Sequence, residues 1–106
     1  DELHVPYVMP QENGARSDVR WLELDGEGKG IHIAGDSLFG FTAHHYTTED
    51  CYRAAHTHEL KRRPEVYVHL DHLQCGLGTG SCGPNTLERY LVPSGEYRFS
   101  FRIRAL

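Results

Sequence analysis

The sequence predicts an all-β fold carrying one short helix. Three observations lead there. Turn signals are dense: Gly14, Asp25-Gly26, Gly28, Gly30, Gly35-Asp36, the stretch from Gly76 to Gly83, and Ser94-Gly95 punctuate the chain. Between them lie short runs rich in β-branched and aromatic residues. The last run also alternates strictly, with Tyr97, Phe99, Phe101 and Ile103 set against Arg98, Ser100, Arg102 and Arg104. That is the period of a strand with one buried and one wetted face.

The elements follow in order. Val5 to Met9 reads as a short extended segment. Val19 to Leu24 is a strand, a polar Gly-rich turn follows, and Ile31 to Ala34 returns; two runs joined that way suggest a hairpin. Trp21, inside the first of these strands, reads as core. Phe39 to Tyr46 is a further strand, in which Gly40 marks a bulge or a close backbone approach. Thr47-Thr48-Glu49-Asp50 resembles a capping box, with Thr47 as N-cap and Asp50 three residues on, so Cys51 to Ala55 follows as a short helix. Glu65 to Cys75 returns to strand, with Val66, Val68 and Leu70 on one face and Tyr67 and His69 on the other. Pro93-Ser94-Gly95 fits a turn with Pro at its second position and Gly at its fourth. It leads into the alternating strand, whose Arg98, Arg102 and Arg104 face solvent.

Length and charge bound the function. A chain of 106 residues supports one domain. It cannot hold a (β/α)₈ barrel, which needs roughly 200 residues or more. Eleven Lys and Arg stand against fifteen Asp and Glu, a net charge of −4, which argues against a nucleic-acid partner. The one basic cluster, Lys61-Arg62-Arg63, meets Pro64 and Glu65 and reads as a solvated loop. No apolar stretch approaches the roughly 20 residues of a membrane helix, so no membrane partner is expected. Asp1-Glu2-Leu3-His4 has no basic n-region of a signal peptide. With no initiator Met, the chain reads as a piece of a longer protein. Cys51, Cys75 and Cys82 make an odd count without a tight framework, which favours reduced thiols and a cytoplasmic setting; one disulfide plus one free thiol is the alternative.

The candidate chemistry is sparse. Eight histidines invite a metal, and His56, His58, His69 and His72 form the local clusters. Zinc needs three or four converging ligands, with spacings such as CxxC or HExxH, and neither spacing occurs. Structural or solvated histidines are the simpler reading. No GxSxG is present, and the local signatures of thiol proteases around Ser81-Cys82 are absent. Glu12, Glu49, Asp50 and Asp71 could supply a glycosidase pair, but no spacing pairs two of them across a cleft, and Glu49 and Asp50 already suit a helix start. The most unusual segment runs from Gly76 to Pro84, with four glycines and a proline in nine residues. No Gly-Lys-Ser/Thr follows, so it is a weak phosphate cradle; it reads as a loop of demanding backbone angles, suited to binding.

Four stretches together resemble a known family. They are Pro10-Gln11-Glu12-Asn13-Gly14 with Arg16 and Asp18-Val19-Arg20-Trp21; Phe39-Gly40-Phe41-Thr42-Ala43-His44-His45-Tyr46-Thr47; Leu70-Asp71 running into Gln74-Cys75-Gly76-Leu77-Gly78 and Gly80-Ser81-Cys82-Gly83-Pro84; and Tyr97-Arg98-Phe99-Ser100-Phe101. In that order they resemble the C-terminal, small-chain domain of glycoside hydrolase family 2 β-galactosidases, from Val8 to Arg104. The resemblance implies an antiparallel β-supersandwich of the galactose-mutarotase-like class, of which residues 1–106 would be the C-terminal part, a partial sandwich. It implies that the parent hydrolyses terminal β-D-galactosides such as lactose with retention. The catalytic Glu pair, the Mg2+ and any Na+ would lie in a TIM barrel outside this chain, so the chain alone would be inactive. It implies contact with the parent's other domains; separately, the open sheet edges of an incomplete sandwich pair readily with another chain, so homo-oligomerisation by dimerisation or strand pairing is expected. The Gly-rich loop would reach the mouth of the active site, making Gly80, Ser81, Cys82 and Gly83 the rim of the galactoside pocket. Cys82 stands where a substrate-stacking Trp is found in the family, and a thiol lacks the broad apolar face of an indole. Gln11, Glu12, Asn13 and Arg16 would form a structural corner whose polar groups satisfy buried backbone. Two rivals remain: a stand-alone carbohydrate-binding β-sandwich module using Trp21, Tyr46 or loop 76–84, and a metal-binding domain using the four histidines.

Overall fold

The computed structural model describes residues 2–80 and 82–106. It is all-β: β1 (Arg16–Gly26), β2 (Lys29–His44), β3 (Tyr67–Asp71) and β4 (Phe101–Ala105) form one antiparallel-rich sheet, with a single short helix, α1 (Thr48–Arg53). Single turns of 3₁₀ helix lie at Thr57–Glu59 and Glu88–Tyr90. The sheet order is β1-β2-β3, and β4 also pairs with β2. Among the described residues these four strands make this one sheet, consistent with a partial sandwich.

The expected hairpin forms, and its turn shows why. Only Glu27 and Gly28 separate β1 from β2, and both have positive φ, 52° and 76°. Left-handed angles at both central positions define a type I′ turn, whose twist matches that of the flanking strands. Two expected strands, Ile31 to Ala34 and Phe39 to Tyr46, are one 16-residue strand. Gly35-Asp36 does not turn. A Cβ at Gly35 would lie 2.7 Å from Cδ1 of Phe39, so the glycine lets that ring fold back over the strand. Asp36 N–H donates to the Ser100 carbonyl at 3.2 Å, which continues the pairing with the last run. Buried positions of β2 are odd-numbered through Phe39 and even-numbered from Thr42, so the parity changes across Gly40.

The chain divides into two compact units. The first comprises residues 1–17 and 41–70. Its helix starts as the sequence predicts: the Thr47 hydroxyl accepts from Asp50 N–H at 3.0 Å, and the Asp50 carboxylate accepts from Thr47 N–H at 2.9 Å. Cys51 is the buried residue of α1. The basic run is more than a solvated loop. Arg63 places its fork on Asp50, Nε and Nη2 donating at 2.6 and 2.7 Å, and Arg62 reaches Nε2 of His45 at 2.7 Å. Asp50 is already turned toward that corner by its capping role, so Arg63 finds a carboxylate in place. The Arg63 fork, with the Thr47 N–H behind it, holds the Asp50 carboxyl well below the usual carboxylate range. Val5 to Met9 forms no strand. Asn13 holds it by accepting from Val5 N–H at 2.9 Å and donating to Val5 O at 3.0 Å, and the Thr57 hydroxyl donates to Tyr7 O.

The second unit comprises residues 18–40 and 71–106. Leu22, Ile33 and Phe39 are its buried apolar residues, Phe39 only 2 % exposed. β4 pairs antiparallel with β2, Ile33 opposite Ile103 and His32 opposite Arg104. Phe99 packs on Phe39, His72 and Phe101, with ring centroids 5.2 to 6.4 Å apart. The alternating run was expected to bury Tyr97, Phe99, Phe101 and Ile103. Only Phe99 is half-buried; the other three are exposed. The regular strand is also shorter than the alternation, five residues from Phe101.

Candidate functional site

Loop 76–84 is closed by its own backbone. Gly76 N–H donates to Tyr90 O at 2.8 Å, and Thr79 N–H and hydroxyl both donate to Pro84 O at 3.1 Å. Cys82 N–H donates to Thr79 O at 3.0 Å, and the Thr86 hydroxyl donates to Gly76 O at 2.8 Å. The glycines make these approaches possible. Gly78 has φ +63°, and a Cβ there would lie 2.5 Å from Thr86 N. At Gly80 it would meet the Asn85 side-chain oxygen at 2.7 Å, and at Gly83 the Thr79 hydroxyl at 2.6 Å. Side chains at these positions would push the loop open. The closed loop turns Leu77, 95 % exposed, and Cys82 outward. Of the four rim residues named from the sequence, Gly80, Cys82 and Gly83 thus sit on one closed loop, while Ser81 lies outside the described residues.

The four histidines of the metal reading do not come together. His56 and His58 stack on each other at 5.5 Å, not as neighbours on a strand but across the Thr57–Glu59 turn, with His56 Nδ1 3.1 Å from Glu59. His69 Nδ1 lies 3.4 Å from Glu12, and His72 stacks on Phe99 at 5.2 Å. Among the described residues no group of three or more His, Cys, Asp or Glu could hold a metal ion. Three of the four candidate carboxylates have structural partners. Glu12 accepts from the Thr42 hydroxyl at 3.2 Å, Glu49 pairs with Arg53 at 2.6 Å, and Asp50 caps α1. Of the four corner residues, Asn13 meets backbone at Val5 and Arg16 at Ala15 O at 3.0 Å, in exposed positions and not the buried ones expected, while Glu12 meets the Thr42 hydroxyl.

Two features escaped the sequence reading. One is His44, buried in the first unit at 9 % exposure with no hydrogen-bond partner of good geometry on either ring nitrogen. Burial pushes its imidazole below the ordinary value; His4 and His69 act the same way, and the Asn13 backbone and Glu12 oppose them. His4 packs edge-on against it at 5.7 Å and also touches Tyr46 at 5.3 Å. Nothing in a lone AHHY sequence signals this. The other is Trp21. It is not core but 58 % exposed, stacked on His32 at 5.6 Å with the rings 14° apart. The strand parity did signal it: Leu22 and Leu24 share the inward face of β1, so Trp21 shares the outward face with Glu23 and Asp25.

Comparison with known proteins bears on the whole chain. Residues 1–103 match the family model described as β-galactosidase small chain. The chain is 37 % identical over 111 residues to a β-galactosidase of Arthrobacter sp. (strain B7), covering 99 % of this chain and 11 % of that protein. It is 33 % identical over 98 residues to one from Kluyveromyces lactis, covering 90 % and 9 %. It is 28 % identical over 103 residues to one from Staphylococcus xylosus, covering 97 % and 10 %. The chain therefore spans about a tenth of the length of the curated relatives it matches.

Proposed function

The chain belongs to the β-galactosidase small-chain family, and from that premise we infer that it is the C-terminal accessory region of a glycoside hydrolase family 2 β-galactosidase. The intact enzyme hydrolyses terminal β-D-galactosides such as lactose with retention. By the resemblance to that family, its nucleophile and its acid/base, the two carboxylates of a retaining mechanism, sit in a barrel outside these residues. The match of residues 1–103, a tenth of each relative, carries this reading. Glu12, Glu49 and Asp50 already hold a hydroxyl, an arginine and a helix start, which supports placing the pair elsewhere.

The contribution of this chain is loop 76–84. Closed by Thr79 and Thr86, it presents Gly80, Cys82 and Gly83 as a rim at the mouth of the galactoside pocket; Ser81 belongs to that rim by sequence. The rim shapes the pocket through backbone and a small thiol, without an indole to stack on substrate. The Mg2+ of the enzyme, and any Na+, belong to the barrel in this reading; among the described residues no group of three or more His, Cys, Asp or Glu could hold a metal ion. The parent is a cytoplasmic homo-oligomer in this reading, a reducing setting that suits the free thiols of Cys51 and Cys75.

Activity assays test it. The 106-residue chain should show no turnover of a chromogenic β-galactoside, whereas the intact parent should. In the parent, Cys82→Trp should change KM with little change in kcat, because the position touches bound sugar and not the reacting atoms. Turnover by the chain itself, surviving removal of contaminants, overturns the accessory assignment. An unchanged KM in the Cys82 variant removes the rim role.

A further inference from the structure

The outward face of the β1–β2–β4 region sets one indole beside an imidazole, charged side chains, Ala34 and Leu106. Trp21 and Glu23 stand on it from β1, and His32 stacks under the indole from β2. His32 lies opposite Arg104 on β4, and the next pair on that face sets Ala34 opposite Arg102. Arg102 is tied to Asp36 at 3.1 Å. The inward face, by contrast, carries Leu22, Ile33 and Ile103. An apolar protein partner would choose the inward face. The outward one offers a flat ring edged with charged groups.

The ring is also pre-positioned. His32 Nδ1 lies 3.0 Å from Glu23, and a carboxylate only accepts, so Nδ1 carries the proton and the imidazole plane is held. The plane lies 14° from that of the indole. Trp21 is 58 % exposed although one of its faces rests on His32, so its open area is the opposite face and edge. A galactosyl ring matches that surface. Its axial hydroxyl leaves a patch of C–H bonds on one face, which packs on an indole, while its hydroxyls project sideways toward carboxylate and guanidinium groups. Stacking on an aromatic already fixed by a second ring loses little side-chain entropy.

We propose that Trp21, oriented by His32 and Glu23, is a second galactosyl-binding site on this chain, separate from loop 76–84. The choice of galactosyl ligand rests on the β-galactosidase reading above. The site holds galactoside without cleaving it.

The sole tryptophan of the chain is Trp21, so its fluorescence reports the site directly. Titration of the full chain with methyl β-D-galactopyranoside, and separately with lactose, should give saturable quenching. His32→Ala and Glu23→Gln keep the reporter and should weaken the response, His32→Ala by roughly 3- to 10-fold, the scale of an aromatic pair. Saturation-transfer NMR on Trp21→Ala, checked for folding by circular dichroism, should show the galactoside signal lost. A linear response, an equal response to methyl β-D-glucopyranoside, or galactoside binding that survives in both His32→Ala and Trp21→Ala overturns the proposal. Turnover by the parent is untouched by any of these results, so failure here is distinct from failure of the accessory assignment.

Discussion

The helix corner of the first unit and the last strand of the second solve different problems. Around α1, a set of polar groups pairs within 18 residues of chain. Thr47 and Asp50 cap each other, Arg63 takes the Asp50 carboxylate, and His45 meets the Arg63 carbonyl across 18 residues of sequence. β4 depends on distant chain. Ser100 reaches Asp36 across 64 residues, and all five strand residues remain exposed, Phe101 and Ile103 among them. Hydrogen bonds are short and directional, so a local segment can complete them. Apolar burial scales with area, and a single sheet of this size cannot supply the area on both of its faces.

The sharpest way to break this contrast is to remove equal rings from the two settings. Phe39→Ala, at a buried position, should cost about 3 to 5 kcal/mol. Phe101→Ala, at an exposed one, should cost about 1 kcal/mol or less. Guanidinium denaturation midpoints of the two variants measure the difference. Equal losses would mean that β4 is covered in solution, for instance by a second copy of the chain.

The next effect sharpens the local half. Thr47→Ala removes one arm of the capping box and should cost about 1 kcal/mol, while Thr47→Ser, which keeps the hydroxyl, should retain most of it. Urea midpoints read both. The gentlest probe is pH. Folding favours neutral His44, so its contribution is whole above the ordinary value of 6.5 and is lost as pH falls through the lowered folded value. Asp50 acts in a lower window: its contribution is present above 3.8 and is lost as pH falls toward its depressed folded value. Thermal melts from about pH 8 to about pH 5 should therefore show a loss in the wild type that His44→Phe flattens. A slope unchanged in that variant would move the titration to another group.

Elements governed by neighbours in sequence were legible. The capping box at Thr47 is one, because its two bonds join residues three apart. The β1–β2 hairpin is another, because Gly28 supplies the left-handed angle that its turn requires. Gly35-Asp36 misled for the opposite reason: as a dipeptide it favours a turn, but the Phe39 ring folded over Gly35 and the Ser100 carbonyl taken by Asp36 keep β2 extended. Trp21 misled because size was allowed to outweigh parity. Of the candidate rim, the glycines of loop 76–84 were visible as a pattern. Their reason lies in the approach of Thr79, Asn85 and Thr86 from across the loop.

By itself, then, the sequence determined the all-β class, the helix start, the first hairpin turn, the glycine positions of the loop and the family, since each rests on spacing or local backbone angles. Only the tertiary structure decided that β2 is one strand, that Trp21 faces outward on His32, that His44 is buried with neither ring nitrogen in a hydrogen bond of good geometry, and that the apolar face of the last run stays open. Those outcomes depend on which distant residues arrive to cover a side chain, and local spacing carries no record of that.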